Sequence, residues 1–188
     1  MSEVDSKVEQ IKLLIIPGSL RSASSTHKVV DYIVSILPSN VKALVYNGLG
    51  MLPHFDDNPQ PHDTVLEFRE AIKLADGVII CTPEYAFGVP GSLKNALDWT
   101  VSSGDFVHKP VSLITAATGG ENAHRSLMLT LTAISCYLPP QAQLLISFIR
   151  SKLNDTGEVT DVQTAKSLQK VVATLIEAIL DTEKVEDN

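Results

Sequence analysis

Apolar positions follow two different periods along the chain. Continuous apolar runs occur at Ile11–Ile16, Val41–Tyr46, Gly77–Thr82, Val111–Ala116 and Gln143–Ile149. Runs of this kind predict short strands buried on both faces, as in a parallel sheet covered by helices. Between the runs the spacing becomes helical. Val29, Val30, Ile33, Val34 and Leu37 share one face until Pro38 stops it, and Ser24, Ser25 and Thr26 are candidate N-caps. Thr64-x-x-Glu67 predicts a capping box opening a helix to about Ala75. Leu93, Ala96, Leu97 and Val101 share a third helical face, and Asn122 to Ile134 is a fourth helix. Thr160-x-x-Gln163 opens a fifth, with the stripe Leu168, Val171, Val172, Leu175, Ile176 and Ile179. Asn47 to His62 is rich in Gly, Pro and Asp and predicts a long loop with a functional or interfacial role. The polar stretches Ser2–Gln10 and Glu183–Asn188 predict frayed ends.

Strand followed by helix, five times over, predicts an α/β fold. The expected architecture is a flavodoxin-like, doubly wound, five-stranded parallel sheet of order 2-1-3-4-5 with helices on both faces. One domain spans residues 1–188, with its core at about 11–182. Ligands of such sheets sit outside the carboxyl ends of the strands, which directs attention to the loops after strands one, three and four.

Composition narrows the function. With 15 basic and 22 acidic residues among 188, the net charge is −7, which argues against a non-specific nucleic-acid binder. Hydrophobic residues make up 44%, enough for a core and too many for general disorder. Cys81 and Cys136 have neither zinc spacing nor a disulfide framework and read as buried, inert thiols. The five histidines lack ligand spacing and read as surface or loop residues, so no metal is expected. No signal peptide and no run of ~18 apolar residues is visible, so the expected compartment is the cytoplasm, with no membrane association. The absence of G-x-G-x-x-G, Walker and G-x-S-x-G motifs argues against an ordinary Rossmann dinucleotide site, an ATPase and an α/β-hydrolase.

Two loops carry the chemistry. The first reads Pro17-Gly18-Ser19-Leu20-Arg21-Ser22-Ala23-Ser24-Ser25-Thr26. A turn from strand to helix aims free amides and the positive helix end outward, and Ser19, Arg21, Ser24 and Thr26 add donors suited to phosphate. The second, Thr82 to Gly91, is stiffened by Pro83 and Pro90. It offers the flat faces of Tyr85 and Phe87, a plausible seat for a planar heterocycle.

Gly18-Ser19-x-Arg21-x-x-Ser24, followed by Thr82-Pro83-Glu84-Tyr85 and Pro90-Gly91-x-Leu93-Lys94-Asn95-Ala96-Leu97-Asp98-Trp99, resembles the NADPH-dependent FMN reductase family over roughly residues 11–180. That family includes flavin, quinone, azo-dye and chromate reductases. The resemblance implies that Ser19, Arg21, Ser24, Ser25 and Thr26 hold the FMN phosphate. It implies that Pro83, Glu84, Tyr85, Ala86, Phe87 and Gly88 line the isoalloxazine, with Thr118, Gly119 and Gly120 on its pyrimidine side. The chain departs from the family at Thr26, commonly Asn, and at Ala86-Phe87, where the usual pattern has Asn-Gly. The implied activity passes hydride from NADPH or NADH to FMN and then to a small acceptor such as a quinone, flavin, azo dye or metal oxyanion. No acid–base residue is required, since the cofactor carries the chemistry. The implied assembly is a homodimer or homotetramer, with Asn47–His62 and the loop after strand three near the subunit contact. The alternative is a flavodoxin-like FMN-binding electron carrier or regulatory protein without NAD(P)H turnover.

Overall fold

The computed structural model describes residues 10–186. In β1 (Ile11–Pro17) every side chain except Lys12 is buried, and successive residues turn to opposite faces. The same holds for β3 (Gly77–Thr82) and β4 (Val111–Ala116), which are buried throughout. With β2 (Val41–Val45) and β5 (Gln143–Ile146) they form one sheet in which every pairing is parallel, in the order β2-β1-β3-β4-β5. This is the expected flavodoxin-like topology.

Because the sheet is apolar on both sides, it carries two cores. Leu13, Ile15, Ile79, Cys81 and Ile114 meet Val29, Val30 and Ile33 of α1 (Ser25–Ser35) and Leu168, Val171 and Leu175 of α5 (Val162–Glu186). On the opposite face Leu14, Ile16, Ile80 and Leu113 meet three helices. These are α2 (Asp63–Leu74) through Phe68 and Ile72, α3 (Gly91–Asp98) through Leu93 and Leu97, and α4 (Glu121–Ala133) through Leu127 and Leu131. Each fully buried side chain of this size stabilises the fold by about 1.5–3 kcal/mol.

Several element ends differ from the sequence expectation, each for a local reason. The cap of α2 is His62, not Thr64: its ring nitrogen accepts the Thr64 N–H at 3.3 Å. At the start of α5 the Asp161 carboxylate, not Thr160, accepts the Thr164 N–H at 2.8 Å. A carboxylate is favoured there because it also meets the positive helix end. The Thr164 hydroxyl, donating to the same carboxylate at 2.5 Å, and the Thr164 amide hold the Asp161 carboxyl below its usual range. Helix α3 ends at Asp98, so Val101 lies beyond it and is exposed rather than on its apolar face. Strand β5 stops at Ile146 because Phe148 turns left-handed, φ 55°, into a short 3-10 turn at Ile149–Lys152. The backbone of α5 runs as helix to Glu186; residues 1–9 and 187–188 lie outside the described residues.

The long segment 47–62 is anchored to α3. Asn95 accepts the Phe55 N–H at 2.8 Å and donates to the Pro53 carbonyl at 2.9 Å. The indole of Trp99 donates to the same carbonyl at 2.9 Å, and its ring meets Phe55 edge-on at 5.1 Å. Two residues of the Lys94–Trp99 motif are thus a loop clamp.

Candidate cofactor site

The parallel register aligns the carboxyl ends of four strands: Pro17 stands opposite Cys81, Thr82 opposite Thr115, and Ala116 opposite Ile146. The chain leaves β1 through Gly18, whose N–H donates to the Cys81 carbonyl at 2.7 Å. A Cβ at Gly18 would lie 2.4 Å from Thr82 Oγ1 and 2.8 Å from its Cβ, so only glycine lets the ends of β1 and β3 converge this closely.

The first loop folds onto the start of α1. Ser24 caps the helix, its Oγ accepting the His27 N–H at 3.4 Å and meeting the His27 ring nitrogen at 2.9 Å. The earlier amides of the helix have no partner inside it. Thr26 is buried in the next turn, yet its hydroxyl has no hydrogen-bond partner. A buried orphan hydroxyl is uncommon and costly, and here it lies on a cleft wall. Ser19 behaves differently. Its Oγ accepts the Arg21 N–H at 3.2 Å and lies 3.3 Å from the Tyr85 hydroxyl, tying the first loop to the second.

The second loop closes as a tight turn. Tyr85 and Gly88 exchange backbone bonds of 3.0 and 2.9 Å around Ala86 and Phe87, both left-handed at φ 49° and 59°. Glu84 takes a role that local sequence could not reveal. Its carboxylate accepts the Gly120 N–H at 3.1 Å and the Ala123 N–H at 2.9 Å. Gly120 has no side chain with which to cap α4, and its φ of 112° and the nearby Leu145 leave no space for one. Glu84 supplies the cap from another loop, joining the segments after β3 and β4. The third loop is braced from β5: Phe148 donates to the Thr118 carbonyl at 3.0 Å, and Ser147 to that of Gly119 at 3.2 Å. Behind it His124, in the first turn of α4, meets Thr115 Oγ1 at 2.9 Å. Burial pushes it below the usual imidazole range, so it is not the surface histidine its spacing implied. Burial likewise pushes the Cys81 and Cys136 thiols up to about 12; Cys81 is buried as expected, whereas Cys136 is only partly so.

These loops enclose a cleft of about 480 Å³, within the range of small-molecule sites. Of the expected site residues, Arg21, Ser24, Ser25, Thr26, Pro83, Glu84, Tyr85, Thr118 and Gly119 are brought together on its wall. Ser19, Ala86, Phe87, Gly88 and Gly120 lie off that wall. The sequence reading missed Lys28 and Arg150. Arg150 comes from the segment after β5, and Lys28 lays its stem across Gly157 in the same segment. Arg21, Lys28 and Arg150 set three cations on the wall of the cleft, against the carboxylates of Asp155 and of Glu84, the latter spent on α4 amides.

The signature of the NADPH-dependent FMN reductase family matches residues 11–150. The chain belongs to this family. It is 31% identical to an NADPH azoreductase of Bacillus sp. strain OY1-2 over 151 residues, covering 79% of this chain and 83% of the relative. It is also 31% identical to a quinone reductase of Escherichia coli K12 over 170 residues, covering 85% of this chain and 90% of that one. Its fold matches that of FerB, a flavoenzyme NAD(P)H:(acceptor) oxidoreductase from Paracoccus denitrificans, with a TM-score of 0.80 at 26% identity. That match covers 91% of this chain and 98% of FerB. The chain is an oxidoreductase with FMN as cofactor and NAD(P)H as co-substrate, and the comparisons favour this over the electron-carrier alternative.

Proposed function

We propose that the cleft at the carboxyl edge of the sheet seats FMN, and that the chain passes electrons from NAD(P)H to a small organic acceptor of the quinone or azo class. One observation carries the assignment of the site. A buried threonine hydroxyl without a partner stands beside free helix amides and an arginine, which is the donor set a phosphate monoester needs. Thr26, Ser24, Ser25, the α1 amides and Arg21 hold the phosphate, with Lys28 and Arg150 adding positive charge. Ser19 keeps Tyr85 against the phosphate loop. Pro83, Glu84 and Tyr85 form one wall of the ring seat, and Thr118 and Gly119 form the other. The main chain of Ala86, Phe87, Gly88 and Gly120 lies at its margins. Bound FMN supplies the redox chemistry, storing electrons between a nicotinamide donor and the acceptor. The protein's part is to position, to exclude water and to set the local charge; no side chain need transfer a proton.

The whole chain works as one FMN-binding domain and assembles as a homodimer or homotetramer in the cytoplasm. Free thiols at Cys81 and Cys136 support a reducing compartment. Among the described residues no helix is long and apolar enough to cross a membrane.

Protein reconstituted with FMN should be yellow and should bleach anaerobically on addition of NADPH or NADH. Colour without bleaching would return the reading to an electron carrier, and failure to retain FMN would remove the cleft assignment. Arg21→Ala should weaken FMN binding by about 1.5–3 kcal/mol, the value of a charge-assisted hydrogen bond, without lowering the thermal midpoint. Fluorescence titration of the apoprotein measures this, and an unchanged affinity would take Arg21 out of the site.

A further inference from the structure

Ala86 and Phe87 form the two-residue tip of the turn between Tyr85 and Gly88, and both are left-handed. A turn with two such central residues is the type I′ turn, which Asn-Gly satisfies with little strain. The related family pattern has Asn-Gly here, whereas this chain places a bulky ring in the second position. Strain of this kind is kept where the surrounding structure enforces it, and it collects at ligand sites. Core packing does not explain the ring. Phe87 is 81% exposed, more than any other large apolar side chain among the described residues. Its location is informative. Tyr85, two residues earlier, lies on the cleft wall and is braced against Ser19, so the tip is a rigid extension of the cofactor seat. Phe87 itself is off the cleft wall, two residues along the turn from Tyr85 on it.

We propose that Phe87 is a specificity-determining residue for the electron acceptor. Its ring is a flat wall for a planar aromatic acceptor of the fused-ring quinone class. This rests on the FMN-reductase reading of the same cleft. A small planar molecule fits better than a protein surface, because the neighbours of Phe87 at the tip, Ala86 and Gly88, add almost no apolar side chain. A single ring on a stiff tip offers the area of one stacked ring system.

The test compares F87G, which removes the ring and the strain, with F87L, which keeps apolar bulk and strain but loses the flat face. FMN-loaded proteins are assayed with 2-methyl-1,4-naphthoquinone and with ferricyanide. Binding of naphthalene-2-sulfonate, which is planar and not reduced, is measured by calorimetry. Both variants should raise the naphthoquinone KM and the naphthalene-2-sulfonate Kd by roughly 2- to 10-fold, the range of an aromatic stack. The naphthoquinone KM should rise more than the ferricyanide KM, native mass should hold, and F87G should raise the thermal midpoint. Unchanged affinity for the aromatic ligands, or an equal loss with ferricyanide, would overturn the proposal. A fall in native mass would instead make Phe87 a subunit contact. Should the wild type reduce neither acceptor, the reductase reading fails, and naphthalene-2-sulfonate binding still decides the role of Phe87.

Discussion

Thr26 is where the fold and the ligand make opposite demands on one atom. In the protein alone its hydroxyl is buried without a partner, a cost of about 1–3 kcal/mol. With a phosphate beside it, the same hydroxyl is a donor. Thr26→Val keeps the shape and removes the oxygen. The apoprotein should therefore become more stable, or at least no less stable, in urea, while FMN binds more weakly. A variant that loses stability and keeps its FMN affinity would show that the hydroxyl serves the fold. The cleft residues of the first loop were legible in the sequence because they are local: Arg21, Ser24, Ser25 and Thr26 sit within one turn and one helix start. Lys28 and Arg150 were not, since only the fold carries the segment after β5 across to α1. Glu84 shows the same limit. Its identity marked the family motif, but its partners lie 36 and 39 positions away.

Among the elements, two junctions set the shape of the site. Glu84 caps α4 from the loop after β3. Glu84→Ala should expose two helix amides and cost about 0.5–2 kcal/mol, as for a lost N-cap. Glu84→Gln, with one amide acceptor remaining, should recover part of it. Urea midpoints of the two variants check this, and identical values would mean the carboxylate is not a cap. The second junction is the clamp of α3 on segment 47–62. Asn95→Ala removes an acceptor from the Phe55 amide and a donor from the Pro53 carbonyl. Limited proteolysis should then cut within 47–62 several-fold faster, with Phe55 losing hydrogen-exchange protection and the sheet amides unaffected. Helical periodicity marked these elements but misjudged their ends. The caps of α2 and α5 are set by whichever polar group reaches the first amides, and at both ends a neighbour of the expected threonine does so.

For the whole molecule, the net charge of −7 and the three cations of the cleft wall describe different ranges. The long-range field is screened beyond about 8–10 Å at ordinary salt, while Arg21, Lys28 and Arg150 act inside that distance. Tyr85 and Phe87 are exposed on the loop after β3, and Met51 and Phe55 on the clamped segment. A second copy covering the clamped segment would bury such side chains. Native mass measurement should give a dimer or tetramer, and a monomer at micromolar concentration would count against the assembly.

The sequence by itself determined the sheet order and the hydroxyl-rich turn after β1. Five two-faced apolar strands joined by right-handed helical crossovers leave few topologies, and the free amides at the start of α1 follow from local chain geometry. Only the tertiary structure decided the rest: that Glu84 caps α4, that Asn95 and Trp99 hold segment 47–62, that Lys28 and Arg150 join the cleft, and that Phe87 stands strained and exposed at its margin. Each of these depends on groups far apart in the chain meeting in space, or on a backbone conformation that the surrounding structure imposes against local preference.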